Sequence, residues 1–487
     1  MDRVQITRRG VLNSLAGLTV VSGLAGFGLL SKREYLGLSE IEAYNSSLLA
    51  TGKIKNFDVS ARPTQIDLGG TIAQSWTYGD LLPGKIIRVN KGDRVQVTFN
   101  NQLPVSTSVH WHGLAIRNDM DGVPGVTTPE VASRASFNFD FITPDAGTYW
   151  FHPHSGTQLD RGLYAPFIVD DPAEKTEYER EWILILDDWS DGVGRNPDEI
   201  LAELKKGDGV ESGGMEHMDG MGGMDMGDVT YPMYLINGRP SNDPEIFLAK
   251  PGERIRFRII NAAADTIFDC AFAQHMMEVT HTDGFPVKPL TTALLQIGMG
   301  ERYDVIVTLK DGVFPFVAQA VGKTAMARAF IRTGSGRAPL ANFNPSELNA
   351  IPLSVQSLEA VQEVRLPARA PDRIQNLVLT GSMKPYIWKI NGRTYADTEP
   401  LTISMNEAGR LRIRNMGMMP HPMHLHGHTF QLGSAGGPGA RKDTVLVPPM
   451  GQIDVDFAAI NPGRWMIHCH NAYHAEAGMM TRLDYTA

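Results

Sequence analysis

Three stretches of this chain alternate polar and apolar residues at the period of a half-buried strand, and each follows a glycine turn. They are Lys91–Asn100, Pro251–Asn261 and Ala408–Asn415. Successive strand residues point to opposite faces, so Val95, Val97 and Phe99 are directed inward while Gln96 and Thr98 are directed outward. Each stretch is followed later by a closing segment in which bulky apolar residues succeed a glycine: Ala146–Phe151, Gly312–Val317 and Pro462–Ile467. A module repeated three times predicts an all-β chain of three tandem β-sandwich domains.

Composition sets the boundaries. Domain one is expected over 46–171, ending near Asp170-Asp171-Pro172, and domain two over 172–336, ending near Thr333–Gly336. Domain three then covers 337–487, entered through a linker over 337–372 rich in Pro, Asn, Ser and Ala that packs across the surface. The one helix expected between motifs, Pro197–Lys206, precedes a Gly/Met-rich segment. A chain of 487 residues exceeds a single core. Its 49 glycines, 30 prolines and 8% aromatics suit short strands joined by turns. A formal charge of -9 argues against a nucleic-acid surface. Two distant cysteines make no disulfide framework, and Cys270, in the apolar run Phe268–Phe272, is expected simply to be buried.

Residues 1–45 are set apart as a leader. Thr7-Arg8-Arg9-Gly10-Val11-Leu12 resembles a twin-arginine export signal and is followed by the mostly apolar run Val11–Leu30. That route carries folded, cofactor-loaded proteins to the periplasm. The run is also about long enough to span a bilayer, so anchoring through the leader is the alternative to cleavage.

The chemistry concentrates at the end of the chain. In Arg464–His470 the strand pattern turns Cys469 to one face and its neighbours His468 and His470 to the other. A thiolate, an imidazole and a weak thioether, as Cys469, His474 and Met479 can offer, suit a one-electron copper centre, because soft sulfur stabilises Cu(I) and imidazole tolerates Cu(II). His468 and His470 would hold a second metal centre joined to the first through one residue of backbone.

Ten of the fourteen histidines fall into four groups: His110-Trp111-His112, His152-Pro153-His154, His421-Pro422-Met423-His424-Leu425-His426, and His468, His470 and His474. The groups occupy equivalent points of the first and third repeats and are missing from the closing strand of the second. Zinc also binds imidazole, but it does not account for the Cys469 and Met479 pairing. A cysteine–histidine nucleophile needs one base rather than ten imidazoles. His275, His281 and His428 are expected in the core or on the surface.

His-Trp-His-Gly at 110–113, His-x-His at 152–154, His-x-x-His-x-His at 421–426 and His-Cys-His-x-x-x-His-x-x-x-x-Met at 468–479 together resemble the multicopper oxidases of the laccase and cuprous-oxidase type. The resemblance runs from about residue 50 to the end. It implies cupredoxin-like Greek-key domains and four copper ions. His421, Cys469 and His474 would hold the type 1 copper with Met479 axial, and His110 and His424 the type 2 copper. One type 3 copper would take His112, His152 and His470, the other His154, His426 and His468. Domain two would be a copper-free spacer. The implied activity is one-electron oxidation of substrate coupled to reduction of O2 to water; a laccase or ferroxidase without a copper role and a non-enzymatic copper-binding scaffold are the alternatives, and a monomer is expected.

Proton supply falls by the same resemblance to Asp121, in Met120-Asp121-Gly122-Val123-Pro124-Gly125, for which a turn carboxylate is the plain alternative. Bacterial relatives place Glu directly after the second type 1 histidine; here Ala475 stands there and Glu476 follows, so Glu476 is the second candidate. Substrate choice points to Met215, Met218, Met221, Met224 and Met226, with His217 among them. Thioethers spaced by glycine and acids cannot form an apolar helix face, and they select Cu(I), as in copper-resistance oxidases. Met416, Met418 and Met419, just before His421, add to that reading, although Gly417 stands where cuprous oxidases often carry an acid. Phenolic reductants are the other expected substrates. The leader reading predicts that replacing Arg8 and Arg9 by Lys abolishes export; oxidase activity still recovered in the periplasmic fraction would contradict it.

Overall fold

The computed structural model describes residues 37–207, 227–340 and 343–486. The three alternating stretches occupy the same position in three sheets. Arg94–Asn101 pairs parallel with Ile54–Leu68 and antiparallel with Ser136–Ile142. Arg254–Asn261 lies in the same way between Arg180–Trp189 and Arg302–Thr308, and Ala408–Asn415 between Arg373–Met383 and Gln452–Ala458. The closing segments become Gly147–His152, Val313–Ala320 and Arg464–Cys469, each in the sheet that faces its repeat strand's sheet. Sheets of four and four, seven and five, and six and five strands therefore make three two-sheet sandwiches in tandem.

Three α-helices connect these layers among the described residues. Helix α1, Leu38–Ser47, buries Ile41 and donates the Tyr44 hydroxyl to Ala115 O at 2.7 Å, while Glu42 pairs with Arg117. The leader boundary drawn at residue 45 cuts through this helix, whose contacts belong to domain one. Helix α2 spans Pro197–Lys206 as its pattern predicts. Asn196 and Glu199 form its capping box, proline opens its first turn, Ile200 and Leu204 face inward, and Gly207 stops it with φ +72°. Helix α3, Ala472–Glu476, follows the last closing strand. The twin-arginine motif and the Met215–Met226 segment lie outside the described residues.

The linker is laid across two domains as expected. Lys288 N donates to Glu359 O and Ala360 N to Pro438 O, with Leu358 and Ala360 buried beneath. Both cysteines are free and buried. No described helix is long and apolar enough to cross a membrane.

Alternation misleads at one strand. Arg256 and Arg258, on the polar side of Arg254–Asn261, are buried where domain two meets domain one. Arg256 meets Asp304 and Glu174, Arg258 meets Asp304 and Glu181, and Thr148 of domain one donates to Asp304 at 2.7 Å.

The charged junction reaches all three domains at Arg302. Its Nε donates to Thr148 O of domain one at 3.0 Å, and its two terminal nitrogens grip the Asp443 carboxylate of domain three at 2.7 and 2.6 Å. Asp283 of domain two stands 3.6 Å away and accepts from the Asp443 and Thr444 amides. Burial works against the Arg302 charge, but Asp443 and Asp283 outweigh it and raise its pKa. Removing the guanidinium would leave the buried Asp443 carboxylate without a cation and Asp283 with Lys442 alone. Arg302→Met is expected to cost about 3–5 kcal/mol in denaturant unfolding of the copper-free protein, while exposed Arg337→Met stays within about 0.5 kcal/mol; equal midpoints for the two would refute the junction's role.

Candidate metal centres

Strand Arg464–Cys469 lies between His421–Leu425 and Met480–Thr486, with Met423 opposite Cys469 and His424 opposite His468. Beyond the strand, Asn471 turns the chain: its side-chain oxygen accepts from the Tyr473 and His474 amides, and its amide donates to Asp265 of domain two at 2.7 Å. Helix α3 thereby swings His474 back over Cys469. Gly478 reverses the chain again with φ +118°, where a Cβ would stand 2.7 Å from Trp388 O.

These turns gather His421, Cys469 and His474. The two Nδ1 atoms are 3.1 Å apart, and Cys469 Sγ lies 3.7 Å from each. Met479 is fully buried beside them, its N–H donated to His474 O and its carbonyl accepting from Cys469 N. Burial and the neighbouring His474 push His421 well below the ordinary histidine pKa. At His474 burial pulls the same way, but Asp228, whose Oδ2 is 2.9 Å from Nε2, lifts it to about 10. Asp228 also accepts from the Tyr386 hydroxyl.

On the opposite face of the strand eight imidazoles converge. His110–His112 pairs with Gly147–His152 so that His110 faces His152. His112, His152 and His470 bring one ligand atom each within 4.8 Å of the others, as do His154, His426 and His468, and His110, His112 and His424. The short approaches are 3.2 Å between His470 Nε2 and His112 Nδ1, and 3.0 Å between the Nε2 atoms of His426 and His468. His110 stacks on His426 and His112 on His424, so rings of domain one and domain three interleave.

The outer nitrogens of six of these rings are held by acceptors, while His470 Nδ1 is buried without one. His110 Nδ1 donates to Asp121 O at 2.8 Å, His152 Nδ1 to Pro153 O at 2.9 Å, His424 Nδ1 to Asp443 O at 2.9 Å and His468 Nδ1 to Cys469 O at 2.8 Å. His112 Nε2 faces Asp443 Oδ1 at 3.2 Å, and His426 Nδ1 faces Asp121 Oδ2 at 3.0 Å. With the proton outward, each of these rings turns its other nitrogen's lone pair inward, which orients a metal ligand. The inner Nε2 atoms of His110, His152 and His424 are buried without a partner. Burial first, and adjoining imidazoles second, hold His152, His154, His426, His468 and His470 well below the usual histidine range, hence in the neutral form that binds metal. Six inward lone pairs crowded together fit bound cations. The thiolate–imidazole group behind fits copper better than zinc.

The two acid candidates occupy different positions. Asp121 is buried within 3.3 Å of His110 and 3.0 Å of His426. Glu476 lines a small pocket with His152, His154, His468 and His470, and burial raises its carboxyl above the ordinary value against the pull of Lys205. Met416 and Met418 are exposed, whereas Met419 packs against the domain-three core. Met450, also exposed, joins the first two through Met450 N→Gly417 O at 3.1 Å. His275, His281 and His428 stand apart in hydrogen-bonded positions; His428, for example, spans His426 O and the Tyr485 hydroxyl.

Sequence reasoning missed what domain two supplies: Asp228 at His474, Arg302 behind Asp443, and Gly300, whose added Cβ would stand 2.8 Å from the His470 ring and 3.0 Å from His112. It also missed Asp443 itself. The run Arg441-Lys442-Asp443-Thr444, charged beside the apolar Val445–Val447, was the available signal.

Models of multicopper oxidase domains match residues 60–174, 204–336 and 368–487. The chain is 46% identical to the multicopper oxidase MmcO of Mycobacterium tuberculosis, with 99% of this chain and 97% of that protein covered. It is 28% identical to a copper resistance protein A homolog of Pseudomonas syringae pv. tomato, covering 97% and 98%. Among solved structures, Fet3p, a multicopper oxidase that functions in iron import, superposes with a TM-score of 0.77 at 21% identity over 89% of this chain and 90% of that one.

Proposed function

The chain belongs to the multicopper oxidases, and from that premise we propose that its main reductant is Cu(I), with phenolic compounds as further substrates, in copper tolerance. It is an oxidoreductase with O2 as acceptor; for the cuprous substrate the balance is 4 Cu(I) + O2 + 4 H+ giving 4 Cu(II) + 2 H2O. It binds copper. We assign four ions: His421, Cys469 and His474 with Met479 to type 1, His110 and His424 to type 2, and the trios His112, His152, His470 and His154, His426, His468 to the type 3 pair. Bound copper would supply the one-electron steps and the place where dioxygen is reduced.

The observation that carries this reading is the strand end. Cys469 faces the Nδ1 atoms of His421 and His474, while His468 and His470, one peptide away on either side, face the eight-imidazole cluster. Electrons therefore have a covalent route of one thiolate and one peptide link between the two centres. The route is short and buried throughout, so it excludes water from the intervening space.

Protons are the second requirement. Asp121 stands against His110 and His426, near enough to hand a proton inward. Glu476, its carboxyl kept protonated to higher pH by burial, borders the pocket that adjoins the cluster from the other side. We assign Asp121 as the proton donor and Glu476 as a second, separate proton source.

The cuprous preference is supported at the opposite rim. His474 Nε2 meets Asp228, which also accepts from Tyr386, so this edge of the ring is buried and an organic substrate has less of it to approach. Met416, Met418 and Met450 instead offer exposed thioethers on the loops that lead to His421, and soft sulfur selects Cu(I). The segment containing Met215, Met218, Met221, Met224 and Met226 ends one residue before Gly227-Asp228, which ties its exit to His474. The twin-arginine motif supports export to the periplasm, where copper is met.

Three outcomes test these assignments. Cys469→Ser should lose the intense blue absorption band together with turnover; a variant that stays blue contradicts the type 1 set. Asp121→Asn and Glu476→Gln should each slow oxygen reduction by about 100-fold or more while leaving the blue band in place, and normal oxygen uptake by either removes that residue from the proton path. Deleting 215–226, or changing Met416, Met418 and Met450 together to Leu, should lower kcat/KM for Cu(I) while sparing a phenolic dye. Equal losses on both substrates would refute a copper-specific role.

A further inference from the structure

A second cavity, of about 550 Å³, lies between helix α1, the Pro144–Asp145 turn of domain one and the outer side of domain three. Its walls are mostly apolar, with Ala43, Leu48, Met405, Ala458 and Ile460 among them. Arg441 also lines it. The guanidinium has only neutral partners: it donates to Val364 O at 2.8 Å and to the Thr429 hydroxyl, and it lies over the Phe285 ring at 4.7 Å. Its Nε is buried and has no partner at all. Arg256, Arg258 and Arg302 are more deeply buried, but each of them meets carboxylates.

Two acids share the cavity without pairing with Arg441. Glu40 folds back on the first turn of its own helix, accepting from Gly37 N and Ser39, and Asp145 faces Lys91 at 3.9 Å. Burial accordingly pulls the Arg441 guanidinium down to about 10, with Asp145 only partly opposing. A second polar atom on the same wall is also unsatisfied: Asn461 gives its amide to Ile116 O and Gly427 O, yet its Oδ1 is buried with no donor. A partly buried guanidinium with no carboxylate in hydrogen-bond reach and one unpartnered nitrogen is under-satisfied, and the group that relieves it is an anion able to accept a charged hydrogen bond. The apolar walls ask for a hydrocarbon body on that anion.

We propose that this cavity binds a small amphipathic carboxylate, its carboxylate on Arg441 and its apolar body against Met405, Ala458 and Ile460. In a hydroxy acid the hydroxyl would donate to Asn461 Oδ1. The site is separate from the copper ligands and needs no turnover.

Benzoate is a suitable probe, with neutral benzamide as the control for charge. Calorimetric titration of the copper-loaded full chain should show one benzoate bound per chain, with a rise in Tm, and no comparable binding of benzamide. Arg441→Met should weaken benzoate by about tenfold or more, as loss of a charged hydrogen bond requires. Ala43→Trp, which fills the cavity from helix α1 and leaves the Arg441 hydrogen bonds in place, should weaken it as well. No heat at roughly 10 mM benzoate, or binding unchanged in both variants, would overturn the proposal.

Discussion

Eight imidazoles turned toward one another make a structure that needs positive charge at its centre. Six of them give their outer protons to carbonyls and carboxylates, which leaves inward lone pairs facing lone pairs, several without any partner. Because His110, His112, His152 and His154 come from domain one and His424, His426, His468 and His470 from domain three, whatever ions satisfy them also bind the two domains together. Metal affinity and domain assembly are one free energy here.

Domain two is what permits that closeness. It offers no histidine to the cluster, yet its Arg302 reaches Thr148 on one side and Asp443 on the other, and Asp443 in turn positions His112 and His424. Its Gly300 leaves the space that the His470 and His112 rings occupy. Its Asp228 and Asp265 hold His474 and the cap of helix α3. The term spacer describes its lack of ligands and understates its part in placing them.

The three-sandwich fold and the clustering of the histidines were legible because both are written locally: period-two alternation marks strands, and His-x-His or His-Cys-His puts two histidines on one face of a strand. The interior charges were hidden for the opposite reason. Arg302 and Asp443 are 141 residues apart, and on an alternating strand a polar residue signals solvent, whereas Arg256 and Arg258 face another domain. Helix α1 falls partly inside the leader as drawn from sequence; only Ile41 of its ten residues is buried, and its anchoring depends on Tyr44 and Glu42 meeting partners in domain one.

The central claim is that one chain builds two linked copper centres, one at Cys469 and one shared between domains one and three. Elemental analysis of the full chain loaded with Cu(I) without oxygen, then freed of excess metal, tests it most directly. Four coppers per chain is the predicted result. A count of one, leaving the imidazole cluster empty, or a count near zero would contradict it.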